Sequence, residues 1–202
     1  MQLQSHRYFI INKPYKMVSQ FVSSHPVRLL GELAFDFPEG THAIGRLDND
    51  SEGLLLLTTN KKVTRLLFQG DMPHERTYLV RAKGEMSEQA LRRLQEGVPI
   101  RITGEEEYIT TPCRVAIVDP PTGLYKRNNE LPDQAPHTWL TITLTEGKFH
   151  QVRKMMLAVK HRCQRLIRIS IEDLLLGDLQ PGEVKELPEA EFFSLLKIAY
   201  RS

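Results

Sequence analysis

Cysteine is nearly missing from the 202 residues: Cys113 and Cys163 stand fifty positions apart, with no CxxC and no Cys/His ligand spacing around either. A disulfide framework and a zinc site therefore have little support, and both are expected as reduced thiols, as in a cytoplasmic protein. Long hydrophobic runs are missing too. The opening "MQLQSHRYFIINKPYK" holds only a short apolar stretch before Asn12 and Lys13, too short for a signal sequence or a membrane span, so a soluble, non-exported chain without membrane contact is expected. No P-loop, no GxGxxG, no internal repeat and no low-complexity tract is present. An excess of one charge is also absent, since 27 Lys and Arg face 25 Asp and Glu, and this total alone says little about nucleic acid.

What is there is enough apolar material, 41% of residues, for one globular domain or two small lobes sharing a cleft. The charge is unevenly spread. "GKFHQVRKMMLAVKHRCQRLIRIS", from Gly147 to Ser170, carries Lys148, Arg153, Lys154, Lys160, Arg162, Arg165 and Arg168 and no acid, whereas "GEEE" at 104–107 and the tail from Glu172 are acidic.

The patterns predict strands at "RYFIINKP", stopped by Pro14, at "LLLLTT", at "ERTYLVRAKG", at "EEYITTPCRVAIVD" with a break at Pro112, at "WLTITLTEG" and at "RLIRISI". They predict helices at "VRLLGELAFDFPEG", at "KKVTRLLFQG" behind Asn60 and ending at Gly70, at "SEQALRRLQEGV" between a Ser87 cap and a Gly97 stop, at "KFHQVRKMMLAVKH" and at "PEAEFFSLLKIAYR". The Pro- and Asn-rich stretch 119–138 reads as an exposed loop. Strands adjacent in sequence outnumber helices, so the expected class is α+β with a mixed, largely antiparallel sheet.

The densest chemistry lies in "IGRLDNDSEGLLLLTTN", 44–60. Asp48, Asp50, Glu52 and Gly53 imitate the opening of a calcium loop, but its twelfth position is Thr59 where a bidentate Glu is needed. Three readings stay open on the residues alone: a magnesium site using two of the acids, a turn with solvated acids, and the seat of one catalytic carboxylate.

"GRLD" at 45–48, "RTYLV" at 76–80, "TEGKFHQVRKM" at 145–155 and "RLIRI" at 165–169 together resemble, in order and spacing, the motif series of the RsuA/RluA group of RNA pseudouridine synthases. "NKP" at 12–14 and "DSEGLLLLT" after the aspartate are similar to its RsuA branch. The resemblance covers nearly the whole chain. It implies a pseudouridine synthase fold of two lobes around a central catalytic cleft, a single catalytic domain over 1–202 with subdomains at about 1–73 and 74–202, and no S4 domain ahead of it. It implies isomerisation of uridine in ribosomal RNA, with large-subunit (23S) RNA preferred, by a monomer that needs no cofactor and no metal. Alternatives of other classes are a non-catalytic RNA-binding or ribosome-assembly module with the same fold, and a metal-dependent nuclease using Asp48, Asp50 and Glu52.

The same resemblance distributes roles. Asp48 is the catalytic carboxylate, as nucleophile or base, and Arg153 of "HQVRK" is the guanidinium that keeps it ionised. Tyr78 stacks on the target uracil. Arg46 fills the stack vacated by a flipped base, a step that costs about a few kcal/mol. Arg76 stands where relatives carry Lys, and Lys148, Lys154 and Arg168 supply phosphate contacts. His150 is read as a hydrogen-bonded residue of the RNA-binding segment rather than a metal ligand.

Overall fold

The computed structural model describes residues 5–68, 72–104, 106–127, 130, 132 and 134–200. In chain order its elements are β1 (Tyr8–Lys13), a 3-10 turn (Leu30–Glu32), β2 (His42–Ile44), β3 (Glu52–Thr58), α1 (Val63–Phe68), β4 (Arg76–Lys83), α2 (Glu88–Glu96), β5 (Pro99–Arg101), β6 (Glu107–Ile109), β7 (Arg114–Ile117), β8 (His137–Leu144), α3 (Gln151–Ala158), β9 (Cys163–Ile171), β10 (Leu174–Leu175), β11 (Val184–Leu187) and α4 (Glu189–Leu195). The class is α+β. Two compact units result, one of Met1–His74 with Arg168–Ser202 and one of Glu75–Ile167.

In the first unit the strand order is β11-β1-β3-β9, with β2 on β3 and β10 on β9. Antiparallel registers include Tyr8↔Leu187 and Tyr8↔Thr58, and an isolated parallel bridge joins Met17 to Arg28. Every residue of β3 is buried. Because side chains alternate across a strand, Leu54 and Leu56 join one core with Tyr8, Ile10, Phe192 and Phe193, while Leu55 and Leu57 are buried on the opposite face.

The second unit runs β9-β4-β8-β7, with Tyr78↔Ile142 and Val115↔Ile142 in antiparallel register and a separate β5-β6 hairpin. Helices α2 and α3 supply Leu94, Met155 and Met156 to the core formed by Val80, Ala82, Leu140 and Ile142. Ser87 caps α2 as expected, its side chain accepting from the Ala90 N–H. Gly97 ends it at φ 105, where a Cβ would lie 2.2 Å from the Thr110 carbonyl oxygen, so only glycine fits.

Two expectations are corrected. "VRLLGELAFDFPEG" forms one 3-10 turn, because Phe35 and Phe37 turn inward to pack on each other at 4.7 Å and on Phe9 at 5.5 and 5.8 Å. Helix α3 starts at Gln151 instead of Lys148, since His150 adopts the left-handed conformation at φ 54. The break expected in "EEYITTPCRVAIVD" is present, as it forms two strands, β6 and β7, with Pro112 in the gap. The expected stop of α1 at Gly70 lies outside the described residues. Within 119–138 the chain is anchored at Glu130, whose carboxylate lies 3.1 Å from Arg165 and 3.6 Å from Arg81, both buried.

Candidate active site

In the first unit Asp48 sits in the connection between β2 and β3, held by fixed backbone on both sides. Ser19 Oγ donates to the Leu47 carbonyl and accepts from the Leu47 N–H, both at 3.0 Å and buried. The Ser51 N–H donates to the Asp48 carbonyl at 3.0 Å, and the Lys16 N–H to that of Asn49 at 2.9 Å. Gly45 enters this turn at φ 71 with the Phe68 ring so close that a Cβ would stand 2.7 Å from it. Asp48 is left half-buried, Arg46 is exposed, and Asp50 takes the Lys16 ammonium at 2.6 Å.

Among the acids lies a buried cation. Lys13 is wholly inaccessible and donates from Nζ to the Pro14 carbonyl at 2.9 Å and the Met17 carbonyl at 2.5 Å. Burial pushes its ammonium down to about 8, although Glu52, Asp48 and Asp50 each favour the charged form; Arg168 adds to the lowering. Arg168, expected among the phosphate contacts, is 2% exposed and donates from Nε to the Leu54 carbonyl at 2.8 Å. That expectation is corrected: the alternation of β9 points this guanidinium inward, where it braces β3.

In the second unit β4 carries Arg76 and Tyr78 two positions apart and hence on one face. Tyr78 is half-buried and packs on the unit's core. Arg76 donates from Nη2 to the Thr145 carbonyl at 2.8 Å, which ties β4 to the turn leading into α3. That turn is organised by Glu146. Its carboxylate accepts from the Tyr108 hydroxyl, from Gln151 Nε2 at 2.6 Å and from the Thr111 N–H at 3.0 Å. Partial burial works to raise this carboxyl, but the hydrogen bonds outweigh it and hold it below its ordinary range.

Gln151 Oε1 in turn accepts from the Lys148 N–H at 2.8 Å. The segment thereby presents an exposed Lys148, whose Nζ stands 4.5 Å from the centre of the Tyr108 ring, together with half-buried His150, Arg153 and Lys154. Arg165 of the same basic stretch faces inward and is 2% exposed. Among the described residues no three His, Cys, Asp or Glu side chains converge as a metal-binding group. None of the described helices is long and apolar enough to cross a membrane.

The model of the RNA pseudouridylate synthase family matches residues 7–158. The chain belongs to that family. The synthase is 37% identical over 189 residues to ribosomal large subunit pseudouridine synthase E of Vibrio parahaemolyticus, covering 93% of this chain and 76% of the relative. It is 36% identical over 176 residues to the protein of the same name from Xanthomonas axonopodis pv. citri, covering 85% and 89%. A crystal structure described as a pseudouridylate synthase superposes with a TM-score of 0.74 at 27% identity, over 96% of the synthase and 76% of that chain.

The synthase is therefore an RNA-acting isomerase with the pseudouridine synthase fold. Its sequence motifs are divided between the units, with "RLIRI" running across the boundary. "NKP", "GRLD" and the end of "RLIRI" build the first, and "RTY" with "KFHQVRK" builds the second. Two contributors carry no role in the sequence patterns: Ser19 stands outside every motif, and Glu146, although inside "TEGKFHQVRKM", shows its organising role only once its partners Tyr108, Thr111 and Gln151 are known.

Proposed function

We propose that this synthase isomerises a defined uridine of large-subunit ribosomal RNA, with Asp48 as the catalytic carboxylate. The observation that carries the assignment is the locked, half-buried setting of Asp48: Ser19 clamps the residue before it, Ser51 closes the turn after it, and Lys13 lies buried among its neighbouring acids. The choice of large-subunit RNA is supported by the names of the relatives from Vibrio and Xanthomonas.

The reaction breaks the bond between ribose C1′ and uracil N1, turns the base, and joins C1′ to C5. The C5 proton leaves to solvent and N1 gains one, so atoms and electrons balance without a redox partner. Asp48 acts at the ribose and base, as nucleophile or base. Arg153 keeps its place as a catalytic residue, a guanidinium that stays charged at working pH. Tyr78 offers the target uracil a ring to stack on, and Arg46 takes the place of the extruded base. Arg76, Lys148, His150 and Lys154 hold the RNA backbone. On the same reading the synthase works as a monomer in the cytoplasm.

The test is tritium release from large-subunit ribosomal RNA transcribed without modification and labelled at uracil C5, in the presence of EDTA. The native chain releases tritium, Asp48→Asn falls by roughly 1,000-fold or more, and Asp50→Asn changes by less than about 10-fold. No release by the native chain, from naked RNA or from unmodified ribosomal particles, overturns the assignment. EDTA-sensitive cleavage damaged equally at Asp48, Asp50 and Glu52 would point to a nuclease.

A further inference from the structure

Phe149 is 69% exposed, in the middle of the basic segment of the second unit. Soluble proteins scatter single apolar residues on their surfaces, so exposure alone decides nothing. Its surroundings are more specific. The ring lies face to face on the His150 imidazole, with centroids 3.9 Å apart and planes 20° apart. Lys154 Nζ stands 5.3 Å from its centre. Lys148, its neighbour, is exposed, and no acid occurs between Gly147 and Ser170.

The ring is also held in place. The left-handed His150 and the Glu146–Gln151–Lys148 hydrogen bonds fix the backbone on both sides of it, so little ordering is left for a ligand to impose. A pre-set aromatic face among cations matches the two features of an unpaired nucleotide, a flat base and a phosphate.

We propose that Phe149, flanked by Lys148 and Lys154, is a stacking platform for an unpaired nucleobase of the RNA substrate other than the target uridine. The inference rests on the RNA substrate of the proposed function and adds a residue to its recognition. Stacking and phosphate contact differ in their response to salt, since only the latter releases counterions.

Filter binding to an unmodified transcript of large-subunit ribosomal RNA, across a salt series, separates the two. Phe149→Leu weakens affinity by about 10-fold at every salt concentration and leaves the salt slope and the melting temperature unchanged. Phe149→Trp, which restores a ring, stays within about twofold of native. The Lys148→Ala/Lys154→Ala pair flattens the salt slope by about 1.4. Native-like affinity in Phe149→Leu, or equal loss in the Leu and Trp variants, overturns the platform. Binding is read without turnover, so a native chain that binds this RNA and releases no tritium overturns the proposed function and leaves the platform standing.

Discussion

Asp48 and Lys148 stand on supports of opposite sign. In the first unit three acids gather around Lys13, a cation without access to water whose hydrogen bonds go to backbone carbonyls. In the second, exposed and half-buried cations follow Glu146, a partly buried carboxylate served by a tyrosine, an amide side chain and a backbone N–H. Where the counter-charge is fully buried, salt does not reach it and its protonation state is set by burial, so the geometry is stiff and sensitive to pH. Where the counter-charge is half-exposed, the support is softer and sensitive to salt. The carboxylate expected to touch the reacting sugar has the stiff support, and the residues expected to follow a variable RNA surface have the soft one.

The largest break in this contrast comes from Lys13→Met, which removes the donor to the Pro14 and Met17 carbonyls and costs about 1–3 kcal/mol at neutral pH. Below pH 8 the native lysine is charged both folded and unfolded. Between about 8 and its ordinary 10.5 the unfolded chain holds a proton that the folded chain has lost, so native stability rises with pH. The variant lacks this gain. Chemical denaturation from pH 7 to 10 should show the gap between the two proteins widening; a constant gap would remove Lys13 as the pH-sensitive element.

Gly45→Ala comes next. The φ of 71 and the Phe68 ring together cost about 1–2 kcal/mol, roughly 2–8 °C in melting temperature, and tritium release falls as the Asp48 turn loses its geometry. Adding Phe68→Ala relieves the contact and leaves the backbone strain, so only part of the loss should return. The smallest effect belongs to Glu146→Gln, which leaves stability within about 1 kcal/mol and weakens RNA binding by about fivefold. An effect on melting as large as that of Lys13→Met would abolish the distinction between the stiff support and the soft one.

Strands β1, β3, β4 and β8 and the capped helix α2 were legible because each is long, strongly patterned and closed by a local signal: Pro14, the Leu run, strict alternation, Ser87 and Gly97. The short β2, β5, β10 and β11 were not, since two to four residues carry no period and owe their state to a neighbour. The helix expected around Leu30 failed because packing of Phe35 and Phe37 on Phe9 outweighed local spacing. In the site, Asp48 and Tyr78 stood out through their motifs, and the placement of Asp48 in a turn feeding a buried strand was readable from "DNDSEG" before "LLLL". The inward turn of Arg168 was hidden, since a basic residue reads as exposed until its strand's register is known. Phe149 carried no signal in the sequence, since nothing in the pattern shows that its ring is exposed.

Strand β9 begins in the second unit and ends in the first, so the second unit is an unbroken stretch while the first is made of two distant pieces. In chain order β1 precedes its partner β11, paired through Tyr8↔Leu187, by the whole of the second unit. At 5–20 residues per second this is a wait of roughly 10–35 s, in which the second unit can close while the apolar edge of β1 stays unpaired. Nascent chains of this protein are thus exposed to misassociation through their first strand, and a chaperone acting on them would find its target there.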